Sequence, residues 1–154
     1  MAVVKAVKPN GFTLFELLIV LAIVSILMSF AYPSYRDYII RASRSDAHVA
    51  IQKVAMAEER VYAVHSQYTA NMDSLGGRES QEGLYTLSAV TGIWSGSNCA
   101  LAVSDTTATN SYTIFAMPVT GKSQESDSDC TCVYFDSRGV KGSTGARDNP
   151  KDCW

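Results

Sequence analysis

Between Phe12 and Tyr32 the chain carries one charged side chain, Glu16, in a run dominated by Leu, Ile, Val, Ala and Phe. Leu17–Tyr32 is uncharged for 16 residues, just short of the roughly 20 that cross a bilayer core as a helix. The stretch from Phe12 reaches that length only by taking in Glu16. Such a segment must end in lipid or in protein, so two ordinary fates come first. A secretory signal would fit Lys5 and Lys8 upstream, yet the run leads into Phe30-Ala31-Tyr32-Pro33-Ser34-Tyr35 rather than a small-residue cleavage site. A permanent anchor would tolerate that ending, but an acidic residue inside an apolar helix costs a few kcal/mol unless it finds a partner. Glu16 is therefore a candidate functional residue.

Past Pro33 the helical period continues and becomes amphipathic. Ala50, Val54, Ala57, Val61, Val64 and Tyr68 recur at spacings of four and three and draw one apolar stripe. Arg44, Lys53, Glu58, Glu59 and Arg60 fall mostly off it, toward water or neighbouring subunits. The pattern predicts one helix over about residues 12–65, its first half uncovered, its second half packed on a sheet, with a bend or local loosening at Pro33. Residues 69–83, with Gly76-Gly77, read as a loop. Strand candidates follow at Leu84–Thr91, Cys99–Ser104, Ser111–Pro118 and Thr131–Ser137. In the first, Tyr85, Leu87 and Ala89 alternate with Thr86 and Ser88, the pattern of a half-buried antiparallel strand. In the third, apolar residues occupy both faces, so both are expected to be covered. Gly92, Gly96, Asp105–Ser111 and Gly121–Asp129 read as turns. Arg138–Trp154 shows no period and needs stapling to hold a shape.

The four cysteines, Cys99, Cys130, Cys132 and Cys153, all lie in the C-terminal half, downstream of an export-like segment. That pattern favours disulfides in an oxidising compartment over a zinc site, because Cys130-Thr131-Cys132 lacks partners at C-x₂₋₄-C spacing. The residues alone leave three pairings open. From Ser34 onward the net charge is −3, so no overall basic excess points to nucleic acid. His48 and His65 stand 17 residues apart, too far to share a metal. Ser126-Asp127-Ser128-Asp129 lacks calcium-loop spacing and reads as a solvated turn. No metal, no cofactor and no catalytic constellation is expected, so the chain is not read as an enzyme.

At Gly11-Phe12-Thr13-Leu14-Phe15-Glu16, followed in register by the apolar run, the chain resembles the type IV pilin family and its pseudopilin relatives. The resemblance implies cleavage between Gly11 and Phe12 by a prepilin peptidase, N-methylation of Phe12, a role for Glu16 in subunit assembly, and a helix bend at Pro33. It divides the chain into a leader (1–11), an apolar membrane and filament-core helix (12–33) and a globular head (34–154). Phe15 departs from the branched aliphatic more usual there, with its apolar character kept. The C-terminal stretch from Asp129-Cys130-Thr131 to Asp152-Cys153-Trp154 is similar to that of PilE-type minor pilins. This implies a Cys130–Cys153 disulfide closing a D-region. Cys99 and Cys132 depart from a two-cysteine pattern and, both on predicted strands, are expected to bridge each other.

The fold implied is α+β, the type IV pilin fold: a long N-terminal helix packed on a four-stranded antiparallel sheet with a disulfide-closed D-region. The function implied is that of a minor pilin, held in the inner membrane of a Gram-negative-type bacterium and then joining or priming the extracellular filament. Its partners would be other pilin subunits, the prepilin peptidase and the inner membrane. A major pilin and a type II secretion pseudopilin are alternatives, as is a DNA-receptor minor pilin. For the last, Arg138, Lys141, Arg147 and Lys151 lie among Asp136, Asp148 and Asp152, a net +1 that is a weak footprint for DNA. A solvated loop is the favoured reading of that cluster.

Overall fold

No glycine occurs between Gly11 and Gly76, and the only proline there is Pro33, so nothing but that proline interrupts helix formation. In the computed structural model, which describes residues 11–94, 99, 110–147 and 149–154, this stretch forms one helix, α1 (Leu14–His65). Its helical hydrogen-bond pattern is assigned through Pro33. It stops at Ser66, whose φ of 56° is left-handed and whose N–H reaches back to the Tyr62 carbonyl at 2.7 Å. That is a C-terminal cap usually given to glycine.

The chain divides into two units, one ending at Tyr38 and one from Ile39 to Trp154. In the second, α1 buries Ala47, Ala50, Ile51 and Val54 on one face. The remaining elements are β1 (Tyr85–Thr91), β2 (Tyr112–Pro118), a 3-10 turn η1 (Ser123–Ser126), β3 (Cys132–Asp136), β4 (Lys141–Thr144) and a second turn η2 (Pro150–Cys153). The four strands form an antiparallel sheet in the order β1-β2-β3-β4.

The register explains which face meets the helix. Leu87 sits opposite Ala116, Ala89 opposite Ile114, Ile114 opposite Phe135 and Ala116 opposite Val133. All of them belong to the core that includes the helix residues. Side chains alternate along a strand, so Val90, Phe115, Cys132 and Tyr134 point the other way, where they form a second cluster with Trp94, Cys99 and Met117. Both faces of β2 are thus covered, as the apolar residues on both of them require.

Four departures from the sequence pattern matter. The fourth strand is Lys141–Thr144, inside the segment that shows no period; the candidate at Cys99–Ser104 lies, beyond Cys99, outside the described residues, as do Gly96 and residues 105–109. An edge strand such as Lys-Gly-Ser-Thr pairs on one side only and is kept polar, so hydrophobic periodicity cannot reveal it. Met72 and Leu75, in the expected loop, are core residues. Val64 is 76% exposed and leaves the stripe. Arg44 and Glu58, placed toward water by the pattern, are buried, each because a partner distant in sequence meets it. Arg44 holds Asp127, and Glu58 accepts the backbone N–H of Thr69.

Candidate functional site

The first unit is a helix whose apolar side chains have no protein around them. Leu17, Leu18, Ile19, Val20, Leu21, Ile23, Val24, Ile26 and Leu27 are 44–63% exposed, and the most apolar window of α1 is entirely unburied. Its serine hydroxyls are closed on the helix itself. Ser25 Oγ donates to the Ala22 carbonyl, Ser29 Oγ to Ile26 and Ser34 Oγ to Phe30, at 2.8, 2.7 and 3.4 Å. No serine hydroxyl in that stretch asks for water, the condition for sitting in hydrocarbon. At its start, Thr13 Oγ1 accepts the Glu16 N–H at 3.2 Å. Thr13 is the N-cap, and Thr-x-x-Glu is the spacing of a capping box. Gly11 and Phe12 precede the helix, and Phe12 is 84% exposed. The cap fixes where the helix begins and leaves the Gly11–Phe12 peptide bond outside it.

The second unit carries the C-terminal cluster. Two disulfides secure it, Cys130–Cys153 and Cys99–Cys132. They serve opposite faces of the sheet: Cys130 and Cys153 belong to the helix-side core and Cys132 to the outer cluster. Gly145 lies against the chain at Asp129, where a Cβ would collide with the backbone carbonyl, and its φ is +139°. The Arg44 guanidinium on α1 grips Asp127 through Nε and Nη2, both at 2.8 Å, with side chains only 8% and 2% exposed. Asp127 Oδ1 also accepts the Cys130 N–H. The hydrogen bond to Asp127 holds the Arg44 pKa above its ordinary value against the effect of burial. Asp127 is therefore a buried ion-pair partner and not part of a solvated turn. Its neighbour Asp129 is taken by Arg147, at 2.8 Å.

Trp154 closes the unit against α1. Its indole N–H donates to the Gly142 carbonyl at 2.8 Å, and its ring stacks on His48 at 4.8 Å. Lys141 Nζ lies 5.0 Å from the ring centroid. His48 Nε2 meets the Cys153 carbonyl at 2.8 Å, while burial pushes its pKa down, so the ring is neutral at pH 7 and Nε2 is the donor. His48 is thereby a structural contact. Among the described residues no three His, Cys, Asp or Glu side chains assemble in a way that would hold a metal.

Of the four cations singled out from the sequence, two are paired and two are not. Arg147 faces Asp129, and Arg138 is held by Asp136 at 2.7 Å. Lys141 and Lys151 are exposed and make no ion pair among the described residues. Of the carboxylates, Asp136 is buried beneath Arg138, Asp152 takes a hydrogen bond from Asn149, and Asp148 lies outside the described residues. A cleft of about 580 Å³ is lined by Cys99, Met117, Thr131 and Thr144 with Glu125 and Asp127. Its charge is acidic and does not suit a phosphate. Nothing in the sequence marks Arg44 as the partner of Asp127, 83 residues away, whereas the Thr13 cap, which the sequence reading missed, has a local signal in Thr-x-x-Glu.

Comparison with known proteins covers both units. A family model described as "Type IV minor pilin ComP, DNA uptake sequence receptor" matches residues 33–134, and one described as a prokaryotic N-terminal methylation motif matches residues 8–32. A fimbrial protein of Neisseria meningitidis serogroup B is 42% identical over 73 residues, 47% of this chain and 43% of that one. Fimbrial protein EcpC of Eikenella corrodens is 37% identical over 83 residues, 53% of each chain. This chain thus spans about half the length of these relatives. A solved type IV pilin from Shewanella oneidensis aligns with a TM-score of 0.45 at 20% identity, over 66% of this chain and 89% of that one.

Proposed function

This chain belongs to the family of type IV minor pilins described as the DNA uptake sequence receptor, and on that premise we propose that it is a membrane-inserted filament subunit whose head contacts DNA. The observation that carries the filament reading is the uncovered apolar helix, continuous with the head helix and preceded by the methylation motif. The bilayer accommodates this segment before assembly and the filament core afterwards. Cleavage after Gly11 removes Lys5 and Lys8, leaves Phe12 as the methylated N-terminus, and divides the chain into leader (1–11), core helix (12–33) and head (34–154). The new ammonium lies four residues from Glu16. In an apolar filament core each ion needs a counter-charge, and Glu16 of an incoming subunit supplies one to its neighbour's N-terminus. Pro33, which cannot donate to the Ser29 carbonyl, is the point where the helix loosens on packing. The peptidase, the inner membrane and other pilin subunits are the successive partners, and the filament is extracellular. Intact mass of the protein from sheared pili should equal Phe12–Trp154 plus one methyl group, with all four cysteines oxidised. A mature terminus near Ser34 would return the segment to an ordinary signal peptide.

The DNA reading gains weight from the family match and from Lys141 and Lys151, which make no ion pair among the described residues, beside the paired Arg138 and Arg147. The sequence tally of +1 counted buried and exposed charges alike. With Arg138 held by Asp136 and Arg147 by Asp129, the charge this edge offers a phosphate comes from Lys141 and Lys151. Binding of labelled duplex DNA by the processed protein should weaken steeply with salt. Salt-independent binding, or none at low salt, would remove DNA from the partners.

A further inference from the structure

The β3–β4 hairpin carries an arginine prepared in an unusual way. Asp136, at the end of β3, is 3% exposed and its carboxylate is fully engaged by the turn that follows. Oδ1 accepts the backbone N–H groups of Arg138 and Val140 at 2.9 and 3.0 Å. Oδ2 accepts Nε and Nη2 of the Arg138 side chain at 3.0 and 2.7 Å. Gly139, at φ +82°, completes the turn and donates to the Asp136 carbonyl at 2.9 Å. The Arg138 side chain nonetheless remains 60% exposed, and Val140 beside it is 45% exposed. One edge of the guanidinium is therefore spent on positioning, while the N–H groups on its other edge meet no acceptor among the described residues and can donate in a fixed plane.

The Asp136–Arg138 pair is neutral as a unit, so it adds little to the attraction for a phosphate backbone. What it keeps is direction. A planar pair of donors matches the O6 and N7 acceptors of guanine in the major groove, a groove wide enough for a two-stranded β-ribbon. Lys141 and Lys151 are the complement: exposed charges that make no ion pair among the described residues, suited to phosphates. Resting on the DNA-contacting reading above, we propose that Arg138, positioned by Asp136, reads a base edge of duplex DNA from the tip of the β3–β4 hairpin, while Lys141 and Lys151 hold the backbone.

The test uses the full processed chain in detergent and a randomised pool of duplexes two helical turns long. Duplexes enriched by the wild type are compared with shuffled ones of equal composition, by fluorescence anisotropy across a salt series. Arg138→Ala and Arg138→Lys should each lose roughly 10- to 100-fold on the enriched duplex, little on the shuffled one, and leave the salt slope unchanged. Arg138→Lys retains the charge, so its loss isolates the planar fork. Lys141→Ala and Lys151→Ala should weaken both duplexes alike and lower the slope by about 1 each. The inference is overturned if both Arg138 variants bind like wild type, since the residue then only pins its turn. It is equally overturned if Arg138→Ala weakens both duplexes alike and lowers the slope, or if the wild type binds DNA but enriches no sequence. Failure of the wild type to bind any duplex would instead sink the DNA reading beneath it.

Discussion

Replacing Glu58 by Gln should stabilise the head at pH 8 and leave it little changed at pH 4.5. The Glu58 side chain is fully buried on α1. One carboxylate oxygen accepts the Thr69 N–H at 3.1 Å, and the other has no hydrogen-bond partner. Glu59 adds a like charge beside it, and no cation pairs with it. Burial pushes its pKa from 4.5 to about 7, only partly offset by the Thr69 hydrogen bond. The unfolded chain releases this proton near the ordinary value, whereas the native chain holds it to about 7. Between those values the native state binds more protons, so this group's contribution to stability falls as pH rises and levels off above the native pKa. At 1.36 kcal/mol per pH unit, the ionised carboxylate costs about 3 kcal/mol at pH 8. His48, held neutral by burial, acts in the opposite direction, so wild type alone would show a blurred slope. The difference between variant and wild type isolates Glu58. Urea unfolding followed by tryptophan fluorescence should give a difference near zero at pH 4.5, rising to about 2–3 kcal/mol by pH 8. Parallel curves for the two proteins across that range would refute the reasoning.

Three further outcomes follow from the packing. Asp127→Ala strands the buried Arg44 guanidinium and should cost about 3–5 kcal/mol, read as a drop in thermal midpoint. Gly142→Ala drives a Cβ into the Tyr134 ring across the β3–β4 pair and should cost about 1–3 kcal/mol or more; Gly139→Ala meets open space and should lose only about 1 kcal/mol, through its positive φ, by the same melting comparison. On the proposed role of Glu16 as counter-charge to a neighbouring N-terminus, the Glu16→Ala protein should be cleaved after Gly11 yet be missing from sheared pili; wild-type amounts there, by immunoblot, would rule out Glu16 as the assembly contact.

Sequence alone determined the elements whose signal is local or periodic. An apolar run interrupted by one acid, a helix without glycine, alternation in β1 and apolar residues on both faces of β2 are each read from neighbouring residues. Segment type, family and the uncovered state of the first unit were therefore legible. Tertiary structure decided what depends on residues brought together from afar. The Arg44–Asp127 pair spans 83 positions, and no pattern along the chain distinguishes Arg44 from an exposed arginine. Glu58 lies among charged neighbours on α1 and is buried only because the chain after Ser66 folds back over it. β4 has no apolar period because an edge strand needs none, and it exists through its hydrogen bonds to β3. The cationic cluster was visible as a composition, but its character was not. Burial of Asp136 converts Arg138 from one charge among several into an oriented donor, and burial is a property that only the folded chain confers.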